Sequence, residues 1–378
     1  MRYDLAIVGA GASGLALAHE LLASPLRDRS IVIVERDATD DDQRTFSYWT
    51  ERATPFDDLV HRRWDRLRFA SPWLDRTLAL APFRYETVRG IHLLEHLRTE
   101  LAKAPRAEWK TGVVRGAIED AGDHARFELE GRTIEARWVF DSRFRHADLQ
   151  VDPRRHHLMH QVFEGWIVET DHDAFDVAVP TMFDFRDHDM RFFYVLPYDA
   201  RRALVEHVRM RPEPAERALR SYVEDVLGLP SGSYRVRARE GGTSALTDAP
   251  FERRLGARVM AIGRRGGLLK PTTGYAFTRI LDDSRAIVRS LETHGHPFDV
   301  PPRRRLYAWL DAVMLELMQT RGDRMARLFT EMFRRNPAPR LLRFLDERAS
   351  WRELAMLVGS MPIGLPLMAA MRLTMRRL

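Results

Sequence analysis

The order of apolar and polar positions divides the chain into three kinds of stretch. The first opens on "YDLAIVGAGASGLALAHELLAS", where Leu5 to Val8 form an unbroken apolar run. Such a run predicts a fully buried strand, and apolar positions at helical spacing after Gly14 predict a helix behind it. "SIVIVER" (30–36) and "RWVFDSRF" (137–144) read as further buried strands, ending at Glu35 and Asp141. "RVMAIGRRGGLLKPTTGYAFTRILDDSRAIV" (258–288) reads as strand, glycine-bearing loop and helix. In the second kind, apolar and polar residues alternate at 161–169, 181–186, 191–197 and 203–210, which predicts an antiparallel sheet. From about residue 300 the pattern becomes helical and amphipathic. Residues 354–371 carry no charge and are numerous enough to span a bilayer. Gly359, Pro362, Gly364 and Pro366 fall inside that run, so two short helices with a break are expected instead.

These elements predict an α/β fold: a Rossmann-like FAD-binding domain, an inserted antiparallel β-sheet substrate domain and a C-terminal helical region. The nucleotide domain is expected from residues 1–50, 80–145 and 240–290, and the sheet domain from 51–79 and 146–239. Residues 291–378 are expected to be helical and to face a membrane.

Gly9, Gly11 and Gly14 give GxGxxG between the first strand and helix. The first glycine allows a tight turn, the second lets backbone approach a pyrophosphate, and the third brings helix against strand. The helix start then offers unpaired N–H groups and a positive dipole end to phosphate. Glu35 stands about twenty residues on, where an acidic side chain can bind a ribose. A Rossmann-like unit without cofactor is the alternative. The later units, ending at Asp141 and running through Gly263, favour FAD over NAD, because flavoproteins return to the nucleotide domain in this way.

Composition narrows the reading further. With no cysteine, disulfides, thiolate metal sites, iron–sulfur clusters and cysteine nucleophiles are excluded for this chain. The net charge is +6, but the only lysines are Lys103, Lys110 and Lys270, and the arginines are interleaved with 54 acidic residues. No basic run with spaced aromatics occurs, so nucleic acid is not an expected partner. An anionic lipid surface remains open. The opening strand turns glycine-rich too soon for a secretory segment. His92 and His160 stand alone, and no metal site is expected.

Taken as a set, "GAGASGL" (9–15), "RTFSYW" (44–49), "VFDSRF" (139–144), "FEGWIVET" (163–170), "MFDFR" (182–186), "FFYVLPY" (192–198), "ALVEH" (203–207), "KPTTGYAFTRI" (270–280) and "FLDE" (344–347) resemble the flavin-dependent lycopene β-cyclases of bacteria and plants. The resemblance implies a redox-neutral acid–base cyclisation of lycopene in carotenoid biosynthesis. It implies reduced FAD, with NAD(P)H as the electron source, and a site at the cytoplasmic face of the membrane. The expected partners are therefore a linear carotenoid and a membrane surface; nothing calls for a protein partner.

The same resemblance places Glu206 as the essential carboxyl. By pattern alone Glu206 would be an ordinary surface glutamate on a strand. His207 departs from the acidic or tyrosine residue common at that position, and strand alternation predicts that it faces away from Glu206. Arg44 is implied to lie around the flavin, with a surface ion pair as the alternative. Asp141 is implied near the pyrophosphate, with a turn cap as the alternative. Gly263, Pro271, Thr273 and Gly274 are implied at the turn and helix start facing the flavin. A redox flavoenzyme acting on an isoprenoid or aromatic substrate is the competing reading, either a monooxygenase or a reductase of the geranylgeranyl type. A non-catalytic isoprenoid-binding flavoprotein is the third.

Overall fold

The computed structural model describes residues 1–36, 45–186, 190–362 and 364–377; Arg44 lies outside the described residues. Strand β1 (Arg2–Val8), helix α1 (Ala12–Leu22) and strand β2 (Ile31–Glu35) form the expected opening unit. β1 and β2 are parallel, with Leu5 opposite Ile31 and Val8 opposite Val34. Parallel strands buried on both faces carry such continuous apolar runs.

Next come β3 (Thr45–Thr50), β4 (Val60–Trp64), β5 (Arg66–Ser71), β6 (Leu74–Ala79) and β7 (Arg84–Arg89). β3 and β4 flank β7 in a small antiparallel sheet of their own. Helix α2 (Gly90–Ala102) leads to β8 (Ala107–Thr111), which extends the first sheet beside β2. β9 (Glu119–Asp120), β10 (Ala125–Leu129) and β11 (Arg132–Asp141) complete its other side, giving the order β8-β2-β1-β11-β10-β9.

A second sheet of seven strands holds the inserted segment. It contains β12 (Leu158–Thr170), β13 (Thr181–Asp184), β14 (Phe192–Asp199) and β15 (Arg202–Arg209), all close to the alternating segments. Short helix α3 (Glu216–Ser221) precedes β16 (Tyr234–Thr247), and the order is β16-β12-β15-β14-β13-β5-β6. Here the expected boundary at residue 240 needs correction. The β12–β16 ladder runs from Leu158 opposite Thr247 to Thr170 opposite Tyr234, so residues 240–247 belong to this sheet.

The chain then returns through β17 (Val259–Ala261), parallel to the end of β11, and α4 (Phe277–His294). The rest is helical: α5 (Arg305–Thr320), α6 (Gly322–Arg335), α7 (Ala338–Leu345), α8 (Trp351–Ser360) and α9 (Gly364–Arg377). Among the described residues no single helix is long and apolar enough to cross a membrane; α8 and α9 meet at 108°.

The two faces of the second sheet bury different neighbours, as strand alternation requires. One face packs Trp166, Val168, Phe193 and Val205 against Leu219, Tyr222 and Val223. The other places Phe192, Leu204 and Val208 in a core shared with Leu315, Met325, Phe333 and Leu373 of the terminal helices. Phe69 stacks on Phe333 at 4.3 Å between ring centroids. Each such buried side chain contributes about 1.5–3 kcal/mol, which fixes the helices over the sheet face that carries Glu206.

Candidate active site

The glycines of the first turn are set by close backbone approach. Gly9 has φ 98°, and a Cβ there would stand 2.2 Å from the Ser142 Oγ. At Gly14 a Cβ would lie 2.0 Å from the Gly9 carbonyl oxygen, so no side chain fits between helix and strand. Gly11 differs: it precedes α1, and no atom lies within 4 Å of where its Cβ would be. The first-turn amides of α1, which have no acceptor inside the helix, thus open onto free space. Gly263, at φ 61°, brings the loop after β17 against this turn, where a Cβ would meet Ser13 Oγ at 2.3 Å.

Around the turn, carboxylates fasten backbone. Glu35 Oε2 accepts from the Ala10 amide at 2.5 Å and Oε1 from the Arg36 amide at 2.9 Å. Asp141 is buried at the end of β11, where it accepts from the Arg143 amide and guanidinium. Ser142, its neighbour, reaches the free space in front of α1; Asp141 does not.

That space is a cavity of about 340 Å³, continuous from Gly11, Ala12 and Ser13 past Thr45, Phe46 and Ser47 to the second sheet. Strand register explains what the sheet presents to it. Tyr194 of β14, Glu206 of β15, Gly165 of β12 and Glu240 of β16 stand directly opposite one another in one row. Opposed residues of antiparallel strands share a face, so both carboxyls rise on either side of a residue with no side chain. A Cβ on Gly165 would sit 3.4 Å from both Glu206 Cβ and Glu240 Cγ, and 2.7 Å from Leu204 Cδ1. Flanking rows on the same face are apolar, with Leu196 opposite Leu204 and Val208 opposite Phe163. His207 points the other way and stacks on Phe193 at 4.5 Å. Burial, with Arg209 and Arg191 nearby, holds its imidazole down to about 4.

A carboxyl-bearing apolar cavity joined to a dinucleotide turn can now be set beside known proteins. The profile of the lycopene cyclase protein family matches residues 4–371. The chain belongs to that family. It is similar to the chloroplastic lycopene beta cyclase of Solanum lycopersicum, 22% identical over 308 residues that cover 76% of this chain and 60% of that protein. The chloroplastic neoxanthin synthase of Solanum tuberosum is 22% identical over 307 residues, covering 74% of this chain and 58% of that one. The chain thus spans less than two thirds of the length of these relatives. Among solved structures, a geranylgeranyl bacteriochlorophyll reductase-like protein from Thermoplasma acidophilum aligns with a TM-score of 0.61 and 14% identity, covering 96% of this chain and 97% of that one. The p-nitrophenol 4-monooxygenase PnpA of Pseudomonas putida DLL-E4 aligns at 0.59 and 14%, covering 100% and 99%. These likenesses show the fold, one shared with a reductase-like protein and a monooxygenase.

In this member of the lycopene cyclase family, removal from water pushes the Glu206 carboxyl up to about 8, and the nearby Glu240 adds to the effect. Glu206 is therefore a neutral acid at pH 7. Three tyrosines border it, Tyr85 buried and Tyr194 and Tyr275 half-buried: the Tyr194 and Tyr275 hydroxyls lie 3.1 Å apart, and those of Tyr85 and Tyr275 3.3 Å. Burial, then their mutual proximity, raises all three well above the ordinary range, so they stay neutral. Glu240 Oε2 accepts from the Thr45 Oγ1 at 3.2 Å, and Thr45 Oγ1 lies 3.3 Å from the Tyr198 hydroxyl.

Tyr275 is delivered by the "KPTTGY" turn, closed by the Lys270 amide donating to the Tyr275 carbonyl and the Gly274 amide to the Lys270 carbonyl, both at 2.9 Å. Gly274 has φ 78°, and a Cβ there would lie 2.4 Å from Gln161 Oε1. Thr273 and Gly274 line the cavity; Pro271 is buried in the turn and does not. Behind it, Lys270 Nζ donates to Asp311 Oδ2 at 2.9 Å and Glu347 Oε1 at 3.0 Å. Burial pushes the Glu347 carboxyl up, but Lys270, Arg279 and Arg303 outweigh it and hold it down to about 2. Thr272 Oγ1 also donates to Asp311, so it anchors the turn and does not cap α4.

The residues singled out in the sequence thus separate by position. Gly11, Thr273, Gly274 and Glu206 line one cavity. Gly9, Gly14 and Gly263 pack behind it, Glu35 and Asp141 hold surrounding backbone, and Pro271 is buried in its turn. Glu240 was missed. Its signal is present in "YRVRAREGG", where Val236, Ala238 and Glu240 alternate with Arg235, Arg237 and Arg239. Period-two reading puts Glu240 on the face of Ala238, while a bulge opposite Ile167 and Val168 turns Val236 to the other face, beside Trp166 and Val168. Among the described residues no group of three His, Asp or Glu is placed to hold a metal ion.

Proposed function

We propose that the protein is a lycopene β-cyclase that closes the acyclic ends of lycopene into β-ionone rings without net redox change. The carrying observation is that one cavity is lined by both the glycine turn at the start of α1 and the neutral carboxyl of Glu206 on an apolar, aromatic sheet face. FAD fits this frame: the opening over Gly11 would take its pyrophosphate, with Ser13 and Ser142 beside it, and the Thr273–Phe277 segment would border its ring system. When bound in its reduced form, with NAD(P)H as the electron source, FAD supplies a fixed negative charge near a developing cation.

The chain's own residues account for the remaining chemistry. The Glu206 Oε–H protonates the terminal double bond, producing a tertiary cation that the internal double bond attacks. Phe163, Leu196, Leu204 and Val208 line the cavity and exclude water that would trap the cation as an alcohol. The faces of Tyr194 and Tyr275, kept neutral, offer π density to it without competing as bases. The substrate is a membrane-soluble hydrocarbon, so the reading includes docking at the cytoplasmic face of a membrane through α8 and α9.

The fold supports a second reading, a redox flavoenzyme on an isoprenoid or aromatic substrate, since solved relatives include a monooxygenase and a reductase-like protein. Incubation of FAD-loaded, chemically reduced protein with lycopene in liposomes, run in parallel without and with oxygen, separates the two. Cyclisation gives β-ringed product of unchanged mass, absent from Glu206→Gln. Products that gain oxygen or hydrogen establish the second reading, and unaltered lycopene with folded, FAD-loaded protein overturns the first.

A further inference from the structure

We propose that Glu240 is the proton acceptor of ring closure, standing across Gly165 from the donor Glu206 and setting where the ring double bond forms. The proposal rests on the cyclase reading. Among the described residues lining the cavity, Glu206 and Glu240 are the only carboxyls, and no histidine joins them. The remaining ionisable side chains there are Tyr85, Tyr194, Tyr275 and Arg264. The tyrosines are held neutral by burial and the arginine has no basic lone pair, so none of these can accept the proton.

Geometry assigns the two carboxyls different places on one substrate. They belong to strands on either side of β12, so their Cα atoms are separated by two strand spacings, roughly 10 Å. Between them Gly165, with no side chain, leaves a shallow notch bordered by Leu204 Cδ1: a β-carbon there would stand 3.4 Å from Glu206 Cβ and Glu240 Cγ but only 2.7 Å from that methyl. A six-membered ring over that notch has one edge toward Glu206 and the other toward Glu240. The carbon protonated at the start and the carbon deprotonated at the end are different ring atoms, as two separated groups require. The charge states are complementary too. Burial and then the nearby Glu240 keep the proton on Glu206, and a hydrogen bond to the charged form of a carboxyl favours that form. Glu240 is the one that accepts from Thr45 Oγ1, at 3.2 Å.

The protons and electron pairs balance. The Glu206 O–H bond breaks as a C–H bond forms at the terminal alkene carbon. The internal alkene pair makes the ring C–C bond and leaves the charge on a ring carbon. One adjacent C–H bond then breaks, its pair becomes the ring double bond, and its proton goes to the Glu240 carboxylate. Return of that proton to Glu206 after product leaves restores the starting state, with substrate and product of identical composition. The cationic carbon has three proton-bearing neighbours: the ring CH that joins the polyene, the ring methylene and the methyl group. The base's position decides which proton is lost, hence which double-bond isomer results.

The test compares wild type, Glu240→Gln and Glu240→Asp as FAD-loaded, reduced protein acting on lycopene, and on lycopene deuterated at the ring-junction carbon. For Glu240→Gln we expect unchanged FAD loading, turnover lowered roughly 100-fold, a primary isotope effect absent from wild type, and residual product spread over β, ε and γ ends. Glu240→Asp should recover part of the rate and the β preference. Turnover of Glu240→Gln within about threefold of wild type, with one ring isomer and no isotope effect, overturns the proposal. If Glu240→Gln fails to load FAD, Thr45→Val is decisive, since it keeps the Glu240 carboxyl and removes the hydrogen bond from Thr45 to it, along with the Thr45 contact to the Tyr198 hydroxyl. A broadened isomer distribution supports the assignment and an unchanged one overturns it. If wild type itself leaves lycopene unchanged, the cyclase reading fails first and takes this one with it.

Discussion

At the scale of single residues, the site is decided by which face of a strand a side chain takes. Alternation read from the sequence put His207 opposite to Glu206, and the stack of His207 on Phe193 agrees. The sequence could not show that the Glu206 face is closed off, because helices more than a hundred residues later cover it. That enclosure has a measurable consequence. An ordinary glutamate ionises near 4.5, whereas burial takes folded Glu206 to about 8. The native protein then retains a proton that the unfolded chain has lost, so the stability tied to this group is complete below 4.5 and falls as pH rises toward 8. Thermal unfolding of Glu206→Gln and wild type across this range should show the variant gaining relative Tm as pH rises. On the proposed mechanism, cyclisation by wild type should decline as pH passes about 8, where Glu206 loses its proton. A pH-independent difference in Tm would mean that Glu206 is solvated like a surface residue.

At the scale of elements, periodicity located the strands at 161–169, 181–186, 191–197 and 203–210, and it located the terminal helices. Local pattern cannot report pairing between distant segments, however. β3, β4 and β7 make a separate sheet, and β16 continues through Gly241 and Gly242, residues disfavoured inside strands. The "KPTTGY" turn shows the same division. Its glycine was legible as a turn former, while its buried clamp of Lys270, Asp311 and Glu347 joins three distant positions. Lys270→Met should destabilise by about 3 kcal/mol, since Asp311 and Glu347 would keep buried charge with one cation fewer. Urea unfolding reads this loss directly, and FAD affinity should fall with it because Thr273 and Gly274 lose their support. A loss below about 0.5 kcal/mol, typical of surface positions, would show that the remaining arginines suffice.

For the whole molecule, the terminal helices join the carboxyl-bearing sheet face to the outer surface. Leu357 and Leu373 are buried in the core shared with Leu204 and Val208 of that sheet. On their other side α8 and α9 expose Trp351 (73%), Met375 (66%) and Met371 (58%). Arg376 of α9 donates to Glu316 of α5 and to the Pro153 carbonyl, which fastens the outer hairpin to the rest of the fold. An apolar outer face beside arginines suits shallow insertion among anionic headgroups, and this is how a hydrocarbon substrate would be met at its source. The FAD-loaded protein should therefore co-sediment with liposomes containing anionic lipid. The triple variant Trp351→Gln, Met371→Gln, Met375→Gln should lose most of that binding, with little change in stability because these side chains are exposed. Turnover of liposome-embedded lycopene should fall in parallel, while turnover of detergent-dispersed lycopene stays near wild type, since Glu206 and its cavity are untouched. Undiminished sedimentation of the triple variant would move the docking surface elsewhere. Equal loss on both substrate forms would show instead that the helices shape the cavity, because delivery from a bilayer plays no part in the detergent reaction.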